Sequence, residues 1–146
     1  MRAAPYTAKA QAKISRKPFL ASHSNCRALC GHRRNMTDEM IRILGDAGGV
    51  MGMNFGPAFL EEGEAPVSRV RDIVRHMRHA ANVGGMDILA IGSDFDGIAG
   101  TLEVGSVDRI GLIWDEMKKA GFTEREIEKA AFGNAERFLR DVLPAD

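Results

Sequence analysis

The stretch Ile88-Leu89-Ala90-Ile91-Gly92-Ser93-Asp94-Phe95-Asp96-Gly97 decides how the rest of the chain is read. Its first half is short and continuously apolar, which suits a strand buried on both faces. Its second half places two carboxylates, Asp94 and Asp96, directly after that strand. If Asp94 ends the strand, it points inward and Asp96 lies in the loop. A carboxylate there can bind a metal, move a proton or hold a substrate amine. The same residues also read as an Asx-type turn, with Gly97 supplying positive φ. Spacing alone leaves both readings open.

Two runs of the same character lie upstream. Pro18-Phe19-Leu20-Ala21-Ser22 ends at His23, and Val50-Met51-Gly52-Met53-Asn54-Phe55 follows Gly48-Gly49. Amphipathic stretches separate the runs. Asn35 or Thr37 can cap a helix that buries Met40, Ile41 and Leu44 and stops at Gly48. After Pro66, Val67, Val70, Ile73, Val74, Met77 and Ala81 follow helical spacing as far as Gly84-Gly85. Ser106 can cap a helix with Ile110, Ile113, Trp114 and Met117 inward. Thr123 and Glu126 form a capping box, and Asn134 reads as the cap of a last helix carrying Phe138, Leu139 and Val142. The order β-α-β-α-β-α-α-α predicts an α/β protein with a parallel sheet.

In such folds ligands bind beyond the carboxyl ends of the strands, where His23, Asn54 and Asp94 stand. A histidine there can ligate zinc through a neutral imidazole nitrogen; it can equally be a hydrogen-bonded loop residue. Arg33-Arg34-Asn35 can fork a carboxylate or form a solvated basic loop. His76 and His79 fall within the amphipathic helix and read as surface or packing residues. Asp96 and Asp108 have ready structural explanations.

A length of 146 residues argues for one domain. The chain is 45% hydrophobic and carries no net charge, so nothing calls for a nucleic-acid partner. Residues 1–37 hold eight Lys or Arg and no acid, and residues 1–13 read as a basic tail ahead of a domain spanning 14–146. No apolar run approaches the roughly 20 residues of a membrane span, so no transmembrane segment is expected. Cys26 and Cys30 read as free thiols, which points to a reducing, cytoplasmic setting.

Taken together, these stretches resemble the membrane dipeptidase (renal dipeptidase-like, peptidase M19) family from about residue 14 to 143. Ser22-His23-Ser24-Asn25 with His32-Arg33-Arg34-Asn35 is similar to the family's "SHS…RRN" signature. Gly48–Phe55 resembles its next strand, Ile91–Gly97 its final-strand "GSDFDG", and Gly133–Phe138 its "GN…R" ending. The resemblance implies the C-terminal portion, strands 6 to 8 and the following helices, of a (β/α)₈ TIM-type barrel of the metal-dependent hydrolase kind. It implies a dipeptidase acting on a dipeptide substrate with two zinc ions in the complete site. By motif position His23 resembles a zinc ligand and Arg34 the residue that grips the substrate's C-terminal carboxylate. Asp94 resembles the residue that contacts substrate and passes a proton to the departing amine.

The family's site also uses an N-terminal His-x-Asp pair, a bridging Glu and a second His. None can be placed here, since no His, Asp or Glu precedes Ser22. A partial zinc site at most is therefore expected. Such a barrel typically needs roughly 250 residues, and three strands leave an open sheet edge. The chain is thus expected to be a fragment inactive alone, completed by a separate N-terminal half or by homo-oligomerisation. The alternative is a catalytically silent partial-barrel module that binds a partner or itself. A nucleotide-binding protein is disfavoured because no G-x-G-x-x-G or P-loop follows a strand.

Overall fold

Alternating short apolar runs with amphipathic ones leaves the strands little choice but to lie side by side under the helices. A computed structural model describes residues 13–144. Apart from Lys13, the expected basic tail lies outside the described residues. The strands are β1 (Leu20–Ala21), β2 (Val50–Met53), β3 (Val67–Ser68), β4 (Leu89–Ile91) and β5 (Thr101–Leu102). The helices are α1 (Asp38–Asp46), α2 (Pro57–Leu60), α3 (Val70–Gly84), α4 (Gly111–Lys119), α5 (Glu124–Glu128) and α6 (Asn134–Val142).

The three expected strands form one parallel sheet in the order β1-β2-β4. Leu20 pairs with Val50 and Ala21 with Met51; Met51, Gly52 and Met53 pair with Leu89, Ala90 and Ile91. Strand side chains alternate between faces. Ala21, Met51, Met53, Leu89 and Ile91 therefore share one face, and they join the main core with Ile41, Leu44, Ile73 and Met77 from α1 and α3. Each fully buried Leu, Ile or Met among them contributes about 1.5–3 kcal/mol of apolar burial. Strand order never reverses and the two crossover helices pack on the same face, as in a sector of a (β/α) barrel.

The opposite face carries Leu20, Val50, Gly52 and Ala90. Phe138 and Val142 of α6 cover Val50 and Ala90, whereas Leu20 stays 49% exposed. Full burial on both faces, expected for all three strands, thus holds for β2 but not for the edge strand β1. No helix among the described residues is long and apolar enough to cross a membrane.

Several local expectations hold. Thr37 caps α1 by accepting from the Met40 N–H, and the Thr123–Glu126 capping box is complete. Others change. Val67, read as helical, lies in β3, which pairs in parallel with β5 and ties the loop after β4 to the start of α3. Glu103 reinforces this tie by accepting from the Val70 N–H at 2.7 Å, at the entrance of α3. Ser106 precedes a tight turn, Val107–Arg109, and its side chain makes no capping bond.

Asn134 is not a cap. A wide π turn at Lys129–Gly133 joins α5 to α6 and adds the residue needed to rotate Asn134 inward. There its Nδ2 donates to the carbonyls of Met86 and Leu89, both at 2.9 Å, clamping α6 to the start of β4. Substituting Asn134→Ala removes both bonds from a buried position and should cost about 1–3 kcal/mol. Urea unfolding checks this; an unchanged midpoint would mean the clamp carries no stability.

Candidate functional site

Parallel strands all end on the same side, so the residues that follow them meet there. His23 follows β1, Asn54 follows β2 and Asp94 follows β4. Beyond the strands, Gly92 N–H donates to Met53 O at 3.1 Å and Phe55 N–H to Ser93 O at 3.2 Å, so β2 and β4 stay joined as they enter the site.

Asp94 is the only non-glycine residue with positive φ among the described residues, at 62°. The turn reading puts positive φ at Gly97. Instead Gly97 N–H donates to Asp94 O at 2.9 Å, closing a turn whose unusual residue is the aspartate. Aspartate tolerates this left-handed region better than most residues. Asp94 Oδ2 accepts from Asn54 Nδ2 at 3.0 Å. Asn54 Oδ1 accepts from the Gly56 N–H at 2.6 Å.

His23 is exposed, and its Nδ1 lies 2.8 Å from Ser22 Oγ. When Nδ1 carries the proton, this bond leaves Nε2 as a free lone pair. The next residue, Ser24, donates from Oγ to the Arg34 carbonyl at 3.1 Å, which links the His23 segment to the arginine loop. The Arg34 guanidinium lies over the Phe59 ring, 4.8 Å from its centroid, and His32 meets the same ring edge-on at 4.6 Å. Burial, then the charges of Arg34, Arg33 and Arg27, lower the His32 pKa and favour its neutral form. Among the described residues no carboxylate pairs with Arg34, whose fork stays open to solvent.

Three buried asparagines hold these parts in place. Asn25 Oδ1 accepts from the Asn54 N–H at 3.0 Å while its Nδ2 donates to Asn54 O at 2.9 Å. Asn35 Nδ2 donates to the carbonyls of Cys30 and Phe59 at 2.9 and 3.0 Å. Asn35, considered as a helix cap, is thus a loop brace. Phe59 and the bracing roles of Asn25 and Asn35 escaped sequence reading, although both asparagines stand inside the quoted motifs.

His76 is a packing residue, as expected for its helix. Its Nδ1 accepts from the Cys26 N–H at 3.1 Å, and its Nε2 lies 3.3 Å from Leu60 O, which calls for the Nε2–H tautomer. It therefore joins the start of the arginine loop to the residue after Phe59. His79 pairs with Asp38 at 2.7 Å. Both cysteines are free and buried. Burial, then the negative charge of Asp38, pushes the Cys26 thiol up to about 12, so it stays protonated near neutral pH.

No group of three or more His, Cys, Asp or Glu side chains among the described residues could hold a metal ion. A zinc centre takes about three protein ligands. The described residues alone therefore do not fit one.

The sequence matches the membrane dipeptidase family, peptidase family M19, over residues 2–145, and the chain belongs to that family. A Klebsiella pneumoniae relative described as an uncharacterized protein in the pqqA 5′ region is 38% identical over 130 residues, covering 86% of this chain and 47% of that protein. A solved structure described as dipeptidase AC, a metallopeptidase, superimposes with a TM-score of 0.87 at 27% identity, covering 94% of this chain and 41% of its own. A Rhodobacter sphaeroides metallopeptidase, liganded with a phosphinate mimic of the dipeptide L-Ala-D-Ala, superimposes at 0.86 and 27% identity, covering 93% and 39%. The chain thus spans less than half the length of these relatives, and its fold is the corresponding portion of their barrel.

Burial lowers the His76 pKa from 6.5 to about 4. The unfolded chain then binds the extra proton first as pH falls, so this residue's share of stability is complete above about 6.5 and is lost toward 4. The full loss amounts to about 3 kcal/mol. Denaturation midpoints measured from pH 7 to pH 4.5 should fall in the parent and fall less in His76→Asn. Parallel curves for the two would exclude His76 as the source.

Proposed function

We propose that this chain supplies the substrate-recognition side of a zinc-dependent dipeptidase. Membership of a dipeptidase family and the likeness to metallopeptidase structures support the reaction class. The observation that carries the assignment to particular residues is the open fork of Arg34, stacked on Phe59 on the same side of the sheet as Asp94.

Arg34 takes the C-terminal carboxylate of a dipeptide in a bidentate grip. Its stack on Phe59 limits the positions the guanidinium can adopt, so little freedom is lost on binding. Hydrolysis adds one water across the peptide bond: the oxygen goes to the carbonyl carbon and the C–N bond breaks. The nitrogen departs as an amine only after it gains a proton; Asp94 takes up the proton that the attacking water gives off and delivers it there. His23 stands as a single metal ligand. The remaining ligands come from outside the described residues, and the isolated chain is inactive.

The open sheet favours a second role, carried by its edges. Among the described residues β1 and β4 each keep one edge without a strand partner, and Leu20 is half exposed beside one of them. Such edges attract another strand, supplied by a complementary half or by a second copy.

In binding assays with Gly-D-Ala, Arg34→Ala should weaken affinity at least tenfold, the scale of a lost charge-assisted pair. Arg33→Ala should leave affinity unchanged. Equal effects of the two substitutions would remove Arg34 from its role. Sustained hydrolysis of Gly-D-Ala by the purified chain with added zinc would refute its inactivity.

A further inference from the structure

We propose that Asn54 is a positioning residue that ties down one oxygen of Asp94, Oδ2, and so makes the other, Oδ1, the atom presented to the dipeptide. This rests on the role given to Asp94 above.

The orientation of the Asn54 amide is forced by its neighbour. The Gly56 N–H can only donate, so the atom 2.6 Å from it must be Oδ1. Nδ2 then faces Asp94 and donates to Oδ2 at 3.0 Å. Asn54 cannot drift, because both its N–H and its carbonyl are held by the Asn25 side chain. Asn54 is 1% exposed and Asn25 fully buried, so water does not compete for these bonds.

The two carboxylate oxygens therefore differ. Oδ2 is occupied. Oδ1 has no hydrogen-bond partner among the described residues and lies against Gly97. A Cβ at position 97 would come within 2.5 Å of Oδ1 and would have to displace it. A side chain at position 97 would therefore press on the carboxylate that the Asn54 bond holds. The asparagine fixes the group, and the missing side chain at Gly97 keeps its free oxygen uncovered. A carboxylate with one oxygen fixed and one open meets a ligand at a single defined atom, which lowers the cost of ordering it.

The test uses the full chain with ¹⁵N-labelled side-chain amides, read by NMR, with Gly-D-Ala as the probe. Asp94→Asn keeps the shape and removes the charge. It should move the Asn54 Nδ2 protons upfield and leave those of Asn25 in place, which reads the bond directly; the binding measurement below reads whether that bond serves the ligand. Asn54→Asp still accepts from Gly56 and, once both carboxylates are ionised, offers Asp94 no donor. Binding of Gly-D-Ala should then fall about tenfold while the Gly56 amide signal stays where it was. Asn54 signals indifferent to Asp94→Asn overturn the proposal, as does unchanged Gly-D-Ala binding in Asn54→Asp. A parent chain that fails to bind Gly-D-Ala defeats the reading of Asp94 as a substrate contact; the Asp94→Asn comparison then decides by itself whether Asn54 holds Asp94.

Discussion

One buried side chain stands in for a strand. Asn25 presents its carbonyl oxygen to the Asn54 N–H and its amide nitrogen to the Asn54 carbonyl, as a paired peptide group would. The regular pairing of β1 with β2 ends at Ala21 and Met51. Asn25 continues it from a chain that has already turned away. Without that amide, two backbone groups at the end of the central strand would be buried and unpaired, each at a cost of about 1–3 kcal/mol. The polar end of a hydrophobic sheet is thus satisfied from within the protein.

The same economy governs the arginine loop. Phe59 O receives Asn25 at 3.4 Å and Asn35 at 3.0 Å, one from each end of the loop that carries Arg34. His76 adds a third anchor from α3, at Cys26. A long cationic side chain on an exposed loop would ordinarily sample many rotamers. Here the loop backbone is pinned from three sides, and the guanidinium rests on the ring whose own carbonyl is one of the pins. Recognition and packing share the same few residues, so a core substitution near Phe59 would disturb the site as surely as one at Arg34.

Much of this arrangement was legible in the chain itself. Continuous apolar runs marked β2 and β4, glycines marked the ends of α1 and α3, and Thr123 with Glu126 marked the start of α5. Such features depend on neighbours in sequence, and local chemistry decides them. What escaped depends on contacts between distant residues. β3 and β5 are two residues each, too short for any period to show. The π turn that rotates Asn134 answers to the carbonyls of Met86 and Leu89, more than forty positions away. At the site, the motifs marked His23, Arg34 and Asp94, yet the asparagines beside them carry the hydrogen bonds that place them. Their letters were visible, but their partners were not.

The close approach of the chain at the carboxyl ends of the strands explains the two glycines that stand there. A Cβ on Gly52 or on Gly92 would collide with the carbonyl oxygen of Ser22. That oxygen is backbone and cannot swing away like the tip of a side chain. Ser22 immediately precedes His23, so any side chain at either glycine would push the histidine off its place at the end of β1. The two glycines lie on the central strand and just after β4, whereas His23 follows the edge strand. Where the backbone before the imidazole can stand is therefore set across the sheet by two missing side chains, and the Ser22 hydroxyl then orients the ring.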